Sequence, residues 1–361
     1  MPTNSFWLNT LDDIEKTVKN AKMGKHSLLS KSEGGRDIYL LEYGPKQNMK
    51  RKCNYNGALY YRSLDVYADK SDAAPIVLIV GATHGGEIEG VSGILNFINA
   101  LETGEDLRGH PQPWASEFLD NCRLLIIPCL NPDGRARTPF TVAPSDPWQT
   151  TYYKHGQYKD GTLMSYTDGM HTHPVLEAAA HMGGYYNDAG VNLYADNYFS
   201  PMSPENISLF KLVDEEAPDL VLLLHTGCHR HGKLLTPYYM PGFTINRVLE
   251  FDNNLKEAFE ESGYTYYSLH EHKIRSIDED VYPPPRFPME TAIHHSCGAL
   301  SVVYESYQAV DDADNHFSLD HVLNCHMILF KQSLRYARKY HQDCLNAATD
   351  ENYERARKRS Y

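Results

Sequence analysis

His84 and Glu87 are separated by two glycines, so one chain turn can aim an imidazole nitrogen and a carboxylate oxygen at the same point. That donor set suits zinc. The pair alone carries little weight, because a chain with 18 histidines is expected to hold about one HxxE by chance. Its setting adds the specificity. It follows the apolar run 76–80 and stands ahead of a helical pattern over 88–101. A catalytic zinc takes three protein ligands and keeps one position for water. His225, which ends the run LVLLLH before Thr226 and Gly227, is the natural third donor. His229 and His231 lie beyond that run and rank below it. A water activated by the metal needs a base, and Glu305 stands at the end of ALSVVY. A carboxylate there is costly unless it faces a polar cavity or a charge partner.

These residues need elements that bring them together. Four short apolar runs, 76–80, 122–129, 220–224 and 299–304, each end in glycine or polar residues, as strands buried on both faces do. Helical patterns over 88–101, 204–216, 246–262 and 317–340 lie between or after them. The alternation predicts an α/β layer fold with a parallel or mixed sheet, in which ligands bind outside the carboxyl ends of the strands. Residues 1–25 read as a helical lead-in with Leu11, Ile14 and Val18 on one face, and 32–44 as a turn and strand. The tyrosine-rich stretch 45–75 reads as a further edge strand. Residues 136–190 and 278–295 lack periodicity, and unpatterned loops of that length tend to be functional. A single catalytic domain over 26–345 with a tail over 346–361 is expected.

Composition narrows the partners. Hydrophobic residues make up 42% of the 361, enough for a substantial core. The net charge of −13 and the lack of a basic face argue against nucleic acid, and the acidic balance argues against an anionic membrane surface. No apolar run reaches the length of a membrane span. Seven cysteines in no CxxC pair, and an N-terminus without signal-peptide character, predict a cytoplasmic, reducing setting.

The chain resembles the zinc carboxypeptidases of the carboxypeptidase A and B type. The resemblance runs from about Ser32 to Gln308 through SEGGRDIYLLEYG, GATHGGEIEG, LNPDGRART, GVNLYADNYF, SPEN, LLLHTG and VVYES, in family order. It implies a three-layer α/β/α sandwich with a twisted mixed sheet of about eight strands, and one zinc per chain. It makes His84, Glu87 and His225 the ligands and Glu305 the general base acting on a peptide or small amide. Asn192 falls where the family often has an aspartate that orients the first histidine. Tyr282, 23 residues before Glu305, matches a tyrosine that covers the substrate.

Three family arginines are missing. The segment from Gly190 to Phe199 lacks the Asn-Arg pair that grips a terminal carboxylate, Gly86 replaces the arginine between the first two ligands, and Trp148 and Gln149 stand near the place of an oxyanion-binding arginine. Arg135, Arg137 and Arg286 are the substitutes at hand, since guanidinium suits bidentate carboxylate binding. The alternatives are an amidase or deacylase whose substrate has no carboxylate there, the same centre acting on esters, and a silent relative that binds metal without turnover.

Overall fold

The computed structural model describes residues 5–171, 174–200, 202–227, 232–269, 286–311 and 318–347. Seven strands form the main sheet: β1 (Lys25–Lys31), β2 (Asp37–Tyr43), β3 (Ile76–Gly81), β4 (Arg123–Ile127), β5 (Leu220–Thr226), β6 (Lys233–Leu235) and β7 (Leu300–Ser306). Their order is β1-β2-β4-β3-β5-β7-β6. The centre, β4-β3-β5-β7, is parallel, and β1, β2 and β6 join antiparallel at the flanks. The sheet is thus mixed, with seven strands among the described residues where about eight were expected.

Alternate side chains of each central strand enter different cores, which makes the three layers. Val77, Ile79, Leu222, Leu224 and Val302 join one cluster. Leu78, Val80, Val221, Leu223 and Val303 join the other. The first layer holds α1 (Leu11–Asn20), α2 (Glu89–Thr103), and the long helices Gly242–Glu261 and Leu319–Ala347. The second holds Tyr55–Tyr61, Pro204–Glu216 and Met289–Cys297. Burying a valine or leucine contributes roughly 1.5–3 kcal/mol, so strands this apolar can tolerate ionisable residues at their ends.

Local chemistry sets the element starts. Thr10 and Asp13 close a reciprocal capping box at α1, with Ile14 and Val18 buried on its inner face. In the stretch 45–75 the expected edge strand is replaced by the helix Tyr55–Tyr61 and a 3-10 turn at Leu64–Val66. The side chain of Asn54 caps this helix at 2.8 Å from Gly57 N, and Tyr55 meets Tyr67 edge-on at 5.2 Å. The unpatterned stretch 136–190 contains a short helix, Pro147–Lys154, and a small ladder between Gly156–Tyr158 and Ala179–Met182. Among the described residues no helix is long and apolar enough to cross a membrane, and the six described cysteines are free.

Candidate active site

The carboxyl ends of β3, β5 and β7 converge. In the parallel pairing of β5 with β7, His225 is the register partner of Glu305, so both side chains emerge on the same face. Past the end of β3 the chain turns with Ala82 at φ +47°, then presents His84-Gly85-Gly86-Glu87 before α2. The glycines are needed for close approach. A Cβ on Gly85 would collide with the backbone nitrogen of Arg135, and Gly85 N donates to Gly184 O at 2.7 Å.

This loop gathers three buried donors, His84, Glu87 and His225, whose ligand atoms lie within 4.8 Å of one another. His84 Nδ1 is 2.9 Å from Glu87 Oε1, and His225 Nδ1 is 3.0 Å from Glu87 Oε2. Thr226 N also donates to Glu87 Oε2 at 3.1 Å. The hydrogen-bond network fixes the His84 tautomer. Asn192 donates its amide to Gly169 O at 3.1 Å and accepts from Tyr194 N on Oδ1, so it offers Oδ1 to His84 Nε2 at 3.1 Å. Nε2 therefore carries the proton, and Nδ1 turns a lone pair toward a carboxylate oxygen. Two acceptors at that distance call for a cation between them. Tetrahedral zinc with bonds of about 2.0–2.1 Å separates its ligand atoms by about 3.3 Å, so the donor set fits zinc. Asn192 then supplies the outer hydrogen bond that metal-binding imidazoles require. Tyr185 stacks on the His84 ring at 3.8 Å and holds its plane.

The electrostatics follow from the same contacts. Burial would raise the Glu87 carboxyl, but the two imidazoles outweigh it and hold it well below the usual range. Burial lowers His84. For His225 burial acts downward, yet Glu87 prevails and the imidazole is raised. Burial raises the half-buried Glu305, with His225, Lys233 and Lys154 opposing and Glu87 adding to the rise.

Motifs beyond the triad build its frame. Asp133 of LNPDG is buried and accepts from Ser32 Oγ at 2.6 Å, Gly34 N at 2.8 Å, Arg36 Nη1 at 2.8 Å and Asp188 N at 3.1 Å. Arg36 also reaches Asp188 at 2.7 Å, so SEGGR, LNPDG and the segment before Asn192 are locked together. Asn206 of SPEN donates to Leu193 O at 2.9 Å and to Asp196 at 3.0 Å, which shapes the turn carrying Asn192 and Tyr194.

The arginines divide. Arg135 is buried, and its guanidinium bonds Asn9 O at 2.8 Å, Thr138 O at 2.7 Å and Phe140 O at 3.1 Å. Arg137 pairs with Asp188 and the carbonyl of Tyr186. Both are engaged by the protein itself. Arg286 is exposed and lines a cavity of about 330 Å³ with Tyr166, Thr167, Tyr194, Ala195 and Phe287. Tyr194 in turn packs edge-on against His84 and His225. Trp148 is exposed and stacks on Tyr152. Tyr282, His229 and His231 lie outside the described residues, as do residues 348–361 of the tail. Sequence reasoning passed over Lys154, which is buried beside Gly86; its one signal was a lysine a few residues past the site searched for an arginine.

No curated protein matches the sequence. Solved structures share the fold. A metallo-carboxypeptidase from Burkholderia cenocepacia is 16% identical, with 91% of this chain and 69% of that one covered at a TM-score of 0.55. One from Pseudomonas aeruginosa, solved with (2-guanidinoethylmercapto)succinic acid, is 14% identical over 91% and 69% at 0.53. Carboxypeptidase A from Helicoverpa armigera is 13% identical over 93% and 74% at 0.52. The zinc carboxypeptidase family model matches residues 11–274, a span that holds all three metal donors and Asn192 and stops short of Glu305. A match over most of the chain, carrying the buried His-Glu-His site with it, settles the kinship: the chain belongs to the zinc carboxypeptidase family and is a zinc metallopeptidase-like hydrolase.

Proposed function

We propose that the protein hydrolyses a peptide or amide bond, using one zinc held by His84, Glu87 and His225 and Glu305 as general base. The observation that carries this reading is the pairing of Glu305 with His225 on adjacent strands, which puts a carboxylate raised by burial beside the metal donors. Bound zinc supplies Lewis-acid polarisation and makes water nucleophilic near neutral pH. Glu305 takes the proton of the attacking water as the new carbon–oxygen bond forms. It gives that proton to the departing nitrogen as the carbon–nitrogen bond breaks. Asn192 and Tyr185 keep the His84 ring in place through both steps.

Arg286 favours a substrate with a carboxylate, because its guanidinium lines a cavity together with Tyr194, whose ring packs edge-on against His84. The amidase or deacylase reading is favoured by Tyr194 and Ala195, which stand where a carboxylate clamp is missing. Both assign the same chemistry and differ in the group beyond the scissile bond. N-acyl dipeptides with free and with amidated C-termini, offered to the zinc-loaded protein, separate them. Cleavage of the free acids alone supports the carboxypeptidase, and cleavage of the amides alone supports the amidase. Zinc-loaded protein that cleaves neither overturns the hydrolytic reading. Glu305→Gln is expected to keep zinc and lose about 10²–10⁴-fold in kcat, and an unchanged rate removes the base assignment.

A further inference from the structure

Attack of water on an amide carbonyl moves the C=O π pair onto oxygen, and that oxygen needs positive charge beside it. Arg135 and Arg137 are bonded to the protein's own carbonyls and Asp188, Arg286 stands exposed at the rim, and Lys233 already has a contact of its own. Lys154 is different. It ends the helix Pro147–Lys154, is only 4% exposed, and among the described residues no carboxylate lies within ion-pair distance of its ammonium. An ammonium that no carboxylate holds is available to a negative charge that develops nearby.

Its position ties it to the metal loop. A Cβ built on Gly86 would stand 3.2 Å from Lys154 Cγ and 3.5 Å from its Cα, so the absent side chain at Gly86 makes room for the lysine stem. On the other side Tyr185 N donates to Lys154 O at 3.0 Å, and Tyr185 is the ring stacked on His84. Lys154 is thus wedged between a residue that separates two metal donors and the residue that braces one of them. Its charge acts on Glu305 and on Glu89, a fully buried acid whose Oε2 has no hydrogen-bond partner among the described residues.

Resting on the hydrolytic reading above, we infer that Lys154 is a catalytic residue whose ammonium donates a hydrogen bond to the oxyanion formed on the attacked carbonyl. The ammonium keeps all its protons through the cycle: the oxygen's pair returns to the carbonyl as the carbon–nitrogen bond breaks, and the proton traffic stays with Glu305. Lys154 therefore stabilises the tetrahedral state and contributes little to ground-state binding.

The test uses zinc-loaded full chain, a dipeptide that the wild type cleaves, and the phosphonate analogue of that dipeptide as a stable tetrahedral anion. Lys154→Met preserves the buried volume. It is expected to keep zinc and its melting temperature, to lose about 10²–10³-fold in kcat with KM within about threefold, and to bind the phosphonate at least about tenfold more weakly by calorimetry. Lys154→Arg is expected to restore part of both losses. An unchanged kcat and phosphonate affinity overturns the assignment, and so does a loss confined to KM, which would make Lys154 a carboxylate grip. Repair of Lys154→Met by Glu89→Gln also overturns it, because the lysine would then serve only as the counter-charge of Glu89. Wild type that holds zinc yet neither cleaves a peptide nor binds the phosphonate overturns the hydrolytic reading first, and this inference falls with it.

Discussion

Strand β5 has a histidine and carboxylate cluster at each end, and the two are balanced in opposite ways. At the amino end, Asp219 is met by Lys70 Nζ at 2.9 Å, His341 Nδ1 at 3.2 Å and the backbone N–H of Ile76 at 2.8 Å. Its carboxylate already has a full cation, and the cluster is complete as protein. At the carboxyl end, Glu87 faces two imidazole nitrogens and one backbone N–H, and among the described residues no lysine or arginine reaches it. The comparison teaches that a buried carboxylate is read by what neutralises it. One supplied with a lysine pins the sheet, and one met by two imidazoles makes a donor set that suits a metal.

Substitutions at the two ends should therefore fail in different currencies. The largest effect is expected from His225→Ala, which should release zinc and abolish turnover while the chain remains folded; full metal content in that variant, by elemental analysis, would shift the third ligand elsewhere. Asp219→Asn should do the reverse, costing about 3 kcal/mol of stability in denaturant melts with zinc stoichiometry intact. If it released zinc, the two ends would not be independent. The Asp219 contribution also has a pH signature. Burial opposes ionisation, but Lys70 and His341 hold the carboxyl below its ordinary 3.8. Its stabilisation is then full above that value and lost as pH falls through the lower folded value, so Asp219→Asn should flatten the acid limb of the melting profile. Asn192→Ala should weaken zinc about 10–100-fold without removing it, measured by chelator competition. The smallest effect is expected from Arg286→Ala, a rise of about tenfold in KM on substrates with a free carboxylate and none on amidated ones. An equal change on both would return Arg286 to the surface.

The carboxyl end was the more legible of the two. His84, Glu87, His225 and Glu305 each follow a short apolar run, and in a parallel sheet the ends of such runs must meet. Asp219 precedes the same run as His225 but gave no sign, because its partners Lys70 and His341 belong to no motif. The partners of Arg135 and Arg137 were hidden for a related reason. Arg135 bonds mainly to backbone carbonyls, one of them 126 residues distant, and a carbonyl leaves no trace in residue type; Arg137 pairs with Asp188, which belongs to no motif. Lys154 was hidden inside a stretch without periodicity, and its meaning depends on Gly86 having no side chain.

The lock of Arg36 on Asp133 and Asp188 bears on how the molecule comes into being. It joins segments 97 and 152 residues apart, and loops that long lose chain entropy before any contact is returned. The frame around the metal donors is therefore built from contacts distant in sequence, which are entropically costly to form. An ion held as proposed would bridge the loop after β3 and the end of β5, and would stabilise the folded chain in proportion to its affinity.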